Sequence, residues 1–286
     1  AQIPSFNATY QQLLTNIRLN GRSESTLSNY GRCLAKMALY FECCPTTLPD
    51  EQVNEYLLLL RDTQSPSYSY FKHTVYGLRM AFRLIGREDK AIRLPSIQRI
   101  KSLPIVFNRA EVKKLVATPK WKKHRILLAL IYSAGLRISE ASKLEQRDID
   151  FVRMAIHIRE SKYKKDRYVP LSGYMKKGLQ DYYQQSCPIK YVFNGKASGS
   201  ALSTRAIQYI FRENLRKSGI TKKANVHTLR HSYATHLLEE GVDIISLRDL
   251  LGHQDIQTTL DYLHVAQFER SRVHSPLDTL YGWKGE

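Results

Sequence analysis

The sequence predicts a mainly α-helical protein with one small β-hairpin or sheet, an α+β arrangement in two domains. Three observations predict it. Apolar residues return at three- and four-residue intervals along most of the chain, the period of an amphipathic helix. Two short β-prone runs, Ala155 to Glu160 and Arg167 to Leu171, flank the polar, basic SKYKKD, which reads as a hairpin with a longer loop. Between two helical regions lies REDKAIRLPSIQRIKSLPIV, with two prolines, mixed charge and little helical period, the signature of a linker.

Taken in order, Phe6 to Leu19 carries an apolar stripe. Ser23 or Ser25 caps a second helix that runs through Tyr30, Leu34 and Met37 to Phe41. Pro45 and Pro49 break the pattern. Asp50 opens DEQVNEYLLLLRD, and Pro66 opens PSYSYFKHTVYGLRMAFRLIG, which stops at Gly86. Helices of this length form a small bundle, assigned here to residues 1–90, with the linker at 91–106. Helical period resumes with Asn108, a good cap for NRAEVKKLVAT, and a buried-looking helix follows in HRILLALIYSAG, ending at Gly135. After the hairpin, from Gly173, the chain is helical again apart from a possible strand at Tyr191 to Phe193. The second domain is assigned to 107–272, and 273–286 to a C-terminal tail.

The net charge of +18 and pI near 9.7 point to a polyanionic partner, nucleic acid first and anionic membrane second. The charge is uneven: residues 1–100 carry a net +4 and the remainder +14. No apolar run approaches the roughly 18 residues that span a bilayer, and AQIPSFNATYQQLL lacks the features of a signal peptide. Cys33, Cys43, Cys44 and Cys187 have no zinc spacing and read as reduced thiols of a cytoplasmic protein.

The most informative stretch is NVHTLRHSYATHLLEEGVDIISLRDLLGHQDIQTTLDYLHV, residues 225–265. It places His227, Arg230, His253 and Tyr262 in order. A phosphodiester resists attack because its charged oxygens repel nucleophiles. Cationic donors that meet the charge of the five-coordinate transition state are each worth roughly 10²- to 10³-fold. Arginine suits this because its planar fork binds two oxygens and stays charged. Two histidines can hold and move protons, and a tyrosine can attack. Arg137, just after Gly135 in YSAGLRISE, adds a second arginine, and Glu140, three residues on, can orient it. An Arg–Glu surface pair is the bland alternative. His227 and His231, four apart, would also fit a metal site, but no nearby carboxylate or thiol completes a set. His253 follows Gly252 at a helix C-terminus, where a protonated imidazole is favoured. Tyr262 is one of 18 tyrosines and stands out only through its place after LLGH. Lys162, Lys164, Lys165 and Arg167 cluster at the hairpin turn, and chemistry alone does not separate these four cations.

The ordered motifs G-L-R-x-S-E, H-x-L-R-H-x-x-A-T-H, L-L-G-H and T-x-x-Y-x-H together resemble the tyrosine recombinase family of phage integrases and Xer proteins. The resemblance covers about residues 103–271, and more weakly 5–90. It implies a helical core-binding domain followed by a catalytic domain, closing as a C-shaped clamp on DNA. It implies that Arg137 and Arg230 clamp the scissile phosphate, with Glu140 behind them. By the same resemblance Lys162 protonates the leaving 5′-hydroxyl and His227 takes or relays the tyrosine proton. His253 bonds a nonbridging oxygen, and Tyr262 attacks to give a 3′-phosphotyrosine. Lys164, Lys165 and Arg167 would contact DNA. No metal, ATP or cofactor is needed, since bond energy is stored in the intermediate. The expected partners are double-stranded DNA with paired inverted half-sites and further copies of the chain, as dimers and then tetramers on DNA. Having few residues before its first helix, the chain is expected to be of the compact two-domain type, and its tail, with Leu277, Leu280, Tyr281 and Trp283, to dock on a neighbouring copy or on its own domain. The competing readings are a type IB topoisomerase and a noncatalytic DNA-binding protein on the same fold.

Overall fold

A computed structural model describes residues 3, 5–62, 68–96, 103–159, 166–197 and 199–266. The chain divides into two compact units, residues 1–100 and 101–286.

The first unit is helical, with α1 (Phe6–Leu19), α2 (Glu24–Phe41), α3 (Asp50–Asp62), α4 (Tyr68–Leu84) and α5 (Glu88–Arg93). Ser23 caps α2 by accepting a hydrogen bond from the Thr26 amide, so of the two serines the first does the work. Each helix sends one apolar face inward: Leu13 and Ile17, Leu34 and Met37, Val53 and Leu57, and Val75, Leu78 and Phe82 form one core. Burying side chains of this size stabilises by about 1.5–3 kcal/mol each. The segment read as linker from residue 91 begins instead within α5. Ala91 and Leu94 are buried in the same core, and Lys90 and Arg93 pair with Asp50 at 3.1 and 2.9 Å. A helix of six residues is too short for its period to show against two nearby prolines.

The second unit wraps around α6 (Arg109–Ala117), α7 (Lys122–Ser133) and α8 (Ile138–Lys143). Asn108 caps α6, and Glu111 returns the bond to the Asn108 amide. Ile126 through Ile131 are all buried, so α7 is apolar all round and forms the centre of the core. A three-stranded antiparallel sheet follows in the order β1 (Ile149–Asp150), β2 (Ala155–Ile158), β3 (Arg167–Pro170). Ile156 faces Val169 and Ile158 faces Arg167, and the inward face belongs to Ile156, Ile158, Arg167 and Val169. Then come α9 (Gly173–Ser186), α10 (Thr204–Lys217), α11 (Val226–Glu239), α12 (Ile244–Leu251) and α13 (Gln257–Leu260). The expected strand at Tyr191 to Phe193 is only an isolated bridge between Tyr191 and Glu145. Val192 and Phe193 are buried, so their apolarity serves the core rather than a ladder.

A smaller cluster made of Tyr233, Ala234 and Leu238 of α11, Leu247 and Leu251 of α12, and Tyr262 packs beside the main core. The four cysteines are free thiols. No helix among the described residues is long and apolar enough to cross a membrane.

The turn from α7 to α8 depends on Gly135. Its φ of +57° is left-handed, and a Cβ there would lie 2.5 and 2.6 Å from two ring carbons of Tyr233. Gly241, at φ +91°, has open space around it. Gly135→Ala is therefore expected to lose about 2–4 kcal/mol, from strain plus overpacking, and Gly241→Ala about 1 kcal/mol, from strain alone. Urea unfolding of both variants checks this; equal losses would show that the Tyr233 ring yields freely.

Candidate active site

The candidate residues come from four places on the second unit, each fixed by local chemistry. Arg137 is the N-cap of α8, and its backbone amide donates to Glu140 at 2.8 Å. Asn225 caps α11 by accepting from the His227 amide at 2.8 Å, which starts the helix that carries His227, Arg230 and His231. Gly252, in the left-handed conformation, ends α12 and turns the chain into His253. Tyr262 lies just past α13, with its amide bonded to the Thr259 carbonyl at 3.1 Å.

Glu140 is the hub. Arg137 donates to its Oε1 at 2.7 Å. Arg167 forms a two-pronged pair with both carboxylate oxygens at 2.9 and 2.8 Å, and Arg230 stands 3.9 Å away. Other guanidinium donors reach carbonyls. Arg137 bonds Gly252 at 2.9 Å, Arg167 bonds Leu250 at 2.8 Å, and Arg230 bonds Gly135 at 2.6 Å and Leu251 at 2.5 Å. Three cations thus tie the α7–α8 turn, β3, α11 and the end of α12 together. The side chains of Glu140, Arg167 and Arg230 are only 5%, 7% and 4% exposed, so these bonds form where water does not compete. Burial alone would raise the Glu140 pKa, but the Arg167 hydrogen bonds and the charges of Arg167 and Arg137 bring it down to about 2. Burial and the Arg137 charge lower Arg230 to about 9, with Glu140 acting against them, which still leaves it cationic at neutral pH.

The phenol of Tyr262 meets this cluster from the other side. Its hydroxyl lies 3.0 Å from Nδ1 of His231, and its ring stacks on His253 with centroids 6.3 Å apart and an 11° interplanar angle. The residue is 4% exposed. Burial raises its pKa, against a lowering pull from Arg230 and Arg137, so the hydroxyl keeps its proton at neutral pH. His253 shares a hydrogen bond at 2.9 Å between Nδ1 and the Thr259 hydroxyl. Its expected protonation at a helix end is overturned. Burial, then Arg230, Arg137 and Arg167, take its pKa down to about 3, a stronger effect than a terminal dipole exerts. Burial of its imidazole, then the charges of Arg230 and Arg137, likewise lower His227 in the first turn of α11, although the residue as a whole is open to solvent.

The structure therefore brings Arg137, Glu140, Arg230, His253 and Tyr262 together. Lys162, Lys164 and Lys165 lie outside the described residues, as does the tail from 273. Arg167 departs from its expected role as a DNA-facing cation, because its guanidinium is turned inward and its donors are taken by Glu140 and Leu250. Sequence reasoning also missed His231, which contacts the phenol in the place expected of His227. Its signals are adjacency to Arg230 and the four-residue spacing from His227. Among the described residues no group of three His, Cys, Asp or Glu side chains could hold a metal ion.

Residues 106–269 match the phage integrase family. The tyrosine recombinase XerA of Thermococcus kodakarensis is 34% identical over 91% of this chain and 91% of its own length. XerA of Pyrococcus furiosus is 32% identical over 89% of this chain and 88% of its own. A solved structure of the Tn1549 transposon integrase in complex with a circular intermediate DNA shares the fold, with a TM-score of 0.72 at 16% identity over 96% of this chain and 97% of that one. With more than half its length matched to the family, and relatives of this similarity along nearly all of it, the chain belongs to the phage integrase family of tyrosine recombinases.

Proposed function

We propose that this protein is a site-specific DNA recombinase that cleaves and rejoins DNA through a 3′-phosphotyrosine, for integration, excision or resolution of a mobile element or replicon. The observation that carries the reading is the Tyr262 hydroxyl set beside the Arg137–Glu140–Arg230 cluster. Three guanidiniums against one carboxylate leave two positive charges in surplus; a phosphodiester monoanion offsets one, and the further negative charge of its five-coordinate transition state meets the other. Arg137 and Arg230 bind the nonbridging oxygens, and Glu140 and Arg167 hold them in place. His253 donates to a nonbridging oxygen through the ring nitrogen not engaged with Thr259. Lys162 protonates the leaving 5′-oxygen. The phosphotyrosine stores the bond energy, so rejoining requires neither ATP nor metal. The net charge of +18 suits long contact with the DNA backbone. The Tn1549 integrase relative is bound to DNA, and double-stranded DNA is the partner proposed for this chain. Relatives along nearly the whole chain are recombinases, which favours exchange between duplexes over a topoisomerase's relaxation of one. Exchange requires four active sites, so the protein is proposed to fill paired inverted half-sites as dimers and to join two of these as a tetramer.

The direct test is covalent capture. The protein is incubated with a pool of nicked random-sequence duplexes in EDTA, without ATP, and denaturation-resistant adducts are collected. Wild type should retain DNA and Tyr262→Phe should retain none, although its noncovalent DNA affinity is unchanged. Adducts of normal yield from the Phe variant would move the nucleophile elsewhere.

The role of Lys162 is tested with the captured site carrying sulfur at the 5′-bridging position, a leaving group that needs little protonation. Lys162→Ala should cleave it on the order of 10²-fold faster than the oxygen substrate, and Arg230→Ala should gain little. Equal rates on both substrates would pass the assignment to Lys164 or Lys165.

Assembly is tested by deleting residues 275–286. Binding to a single half-site should persist, and cooperative filling of the second should fall, as read in gel-shift titrations. Unchanged cooperativity would make the tail a cap on its own domain.

A further inference from the structure

The geometry points to Asp148 and Arg159 as positioning residues that hold one end of the loop carrying Lys162, and so determine whether the acid reaches the leaving oxygen. The inference rests on the reading of that loop as the source of the acid. Lys162 falls between Arg159 and Asp166, the nearest described positions on either side. The ladder of β2 and β3 ends at the Ile158–Arg167 pair, so Arg159 and Asp166 are the first residues beyond its last rung. What fastens these two sets where the loop departs and returns.

On the β3 side the fastening belongs to the site already described. Arg167 holds both carboxylate oxygens of Glu140, which ties the strand to the same hub as Arg137. Beside it, Asp166 stands 3.0 Å from Nε2 of His157, whose ring stacks on Tyr168 with centroids 4.6 Å apart at 11°. On the β2 side Ile158 is buried in the core, and the next residue meets a buried carboxylate: Nε of Arg159 lies 2.5 Å from Oδ1 of Asp148. Asp148 ends the short turn Gln146–Asp148, just before β1, and its Oδ2 accepts from the Glu145 amide at 3.0 Å. Ile149 of β1 faces Ile156 of β2. Continuing that register sets Asp148 opposite His157, two residues before Arg159, a diagonal that a long side chain can cross. The Asp148 side chain is 5% exposed and that of Arg159 39%. A carboxylate shut away to this degree requires a counter-charge, and Arg159 supplies it. The ion pair therefore braces the outgoing end of β2 against the strand beside it.

This brace matters because of what the loop has to deliver. A general acid must come within hydrogen-bond reach of the oxygen that it protonates, and a misplacement of about 1 Å can cost on the order of 10²-fold. With Arg159 released, the fixed point at the β2 end retreats to Ile158. One residue of chain spans up to about 3.3–3.6 Å, more than proton transfer tolerates. Arg167 keeps its bonds to Glu140, so the phosphate clamp and the attack of Tyr262 are left in place. The defect falls on protonation of the 5′-oxygen alone.

The experiment compares single-turnover adduct formation on the captured duplex with oxygen or sulfur at the 5′-bridging position, using the full chain. Arg159→Gln drops the charge. It should cleave the oxygen substrate on the order of 10- to 10²-fold more slowly than wild type, and the sulfur substrate at close to the wild-type rate, since that leaving group needs little protonation. Asp148→Asn should show the same split. Arg159→Lys, which restores the charge, should recover part of the oxygen rate. Lys162→Ala combined with Arg159→Gln should be no slower on oxygen than Lys162→Ala alone, because the pair acts through the lysine. Half-site binding should hold throughout. Circular dichroism identifies a variant that has failed to fold; if Arg159→Gln fails, the doubly neutral Asp148→Asn with Arg159→Gln decides. A folded variant that loses equally on both substrates, that cleaves the oxygen substrate at the wild-type rate, or that adds its loss to that of a sulfur-preferring Lys162→Ala overturns the proposal. A failure of the acid assignment reads differently. Lys162→Ala then shows no preference for sulfur, and a sulfur preference in Arg159→Gln passes the acid to Lys164 or Lys165 on the same loop.

Discussion

One buried carboxylate organises the second unit. Glu140 is nearly inaccessible and binds Arg137 and Arg167 directly, with Arg230 at its edge. Removing one partner of such a pair typically costs 3–5 kcal/mol, because the other charge is left buried and uncompensated. The arrangement is a poor way to gain stability, since an apolar substitute of similar volume often does as well. It does fix geometry. Through the arginines, Glu140 holds the carbonyls of Gly135, Leu250, Leu251 and Gly252 at one point, so four segments distant in sequence cannot shift independently. Gly135 and Gly252 both adopt left-handed φ around this point. Gly252 sits so close to Arg167 that a Cβ would lie 3.1 Å from its side chain, and close approach is what lets the carbonyls face the guanidiniums.

The nucleophile candidate is set in core rather than on a surface. Tyr262 belongs to the cluster formed by α11 and α12, so apolar contacts fix its ring while its hydroxyl alone meets polar atoms. A core position and the proposed role fall on different parts of the same side chain, the first on its ring and the second on its hydroxyl. The same burial raises its pKa, protecting the resting enzyme from an exposed phenolate and creating the need for a neighbouring acceptor.

The parts of this fold legible in sequence are those where one local rule dominates. Asn108 announced a cap, the unbroken apolar run in α7 announced a buried helix, and the basic turn between β-prone runs announced the hairpin. The first domain's end was misplaced because α5 is too short to display a period. Within the site, the motif order brought Arg137, Arg230, His253 and Tyr262 forward, whereas Arg167 was read by charge alone. Its strand parity held the missing information. Arg167 and Val169 are two apart in β3 and must share a face, and Val169 is buried, so an arginine on that face has to find a partner inside. His231 was hidden differently. Its helical spacing from His227 suggested a pair, and nothing in one helix reveals that a phenol from a segment 31 residues away arrives at its Nδ1.

The histidines around the clamp are kept neutral by burial first and by concentrated positive charge second. Preorganised cations lower the barrier only because they need not be gathered during the reaction, and the repulsion they impose falls on the nearest groups able to shed a proton. Burial first, and the neighbouring charges second, take His231 and His253 to about 4 and about 3, while Arg230 keeps its charge. The site at rest is therefore a cationic clamp surrounded by neutral imidazoles, each able to accept or share a proton. An anion placed between the arginines would remove part of that repulsion. The field suited to an anionic group therefore also weighs on the protons of the imidazoles beside it.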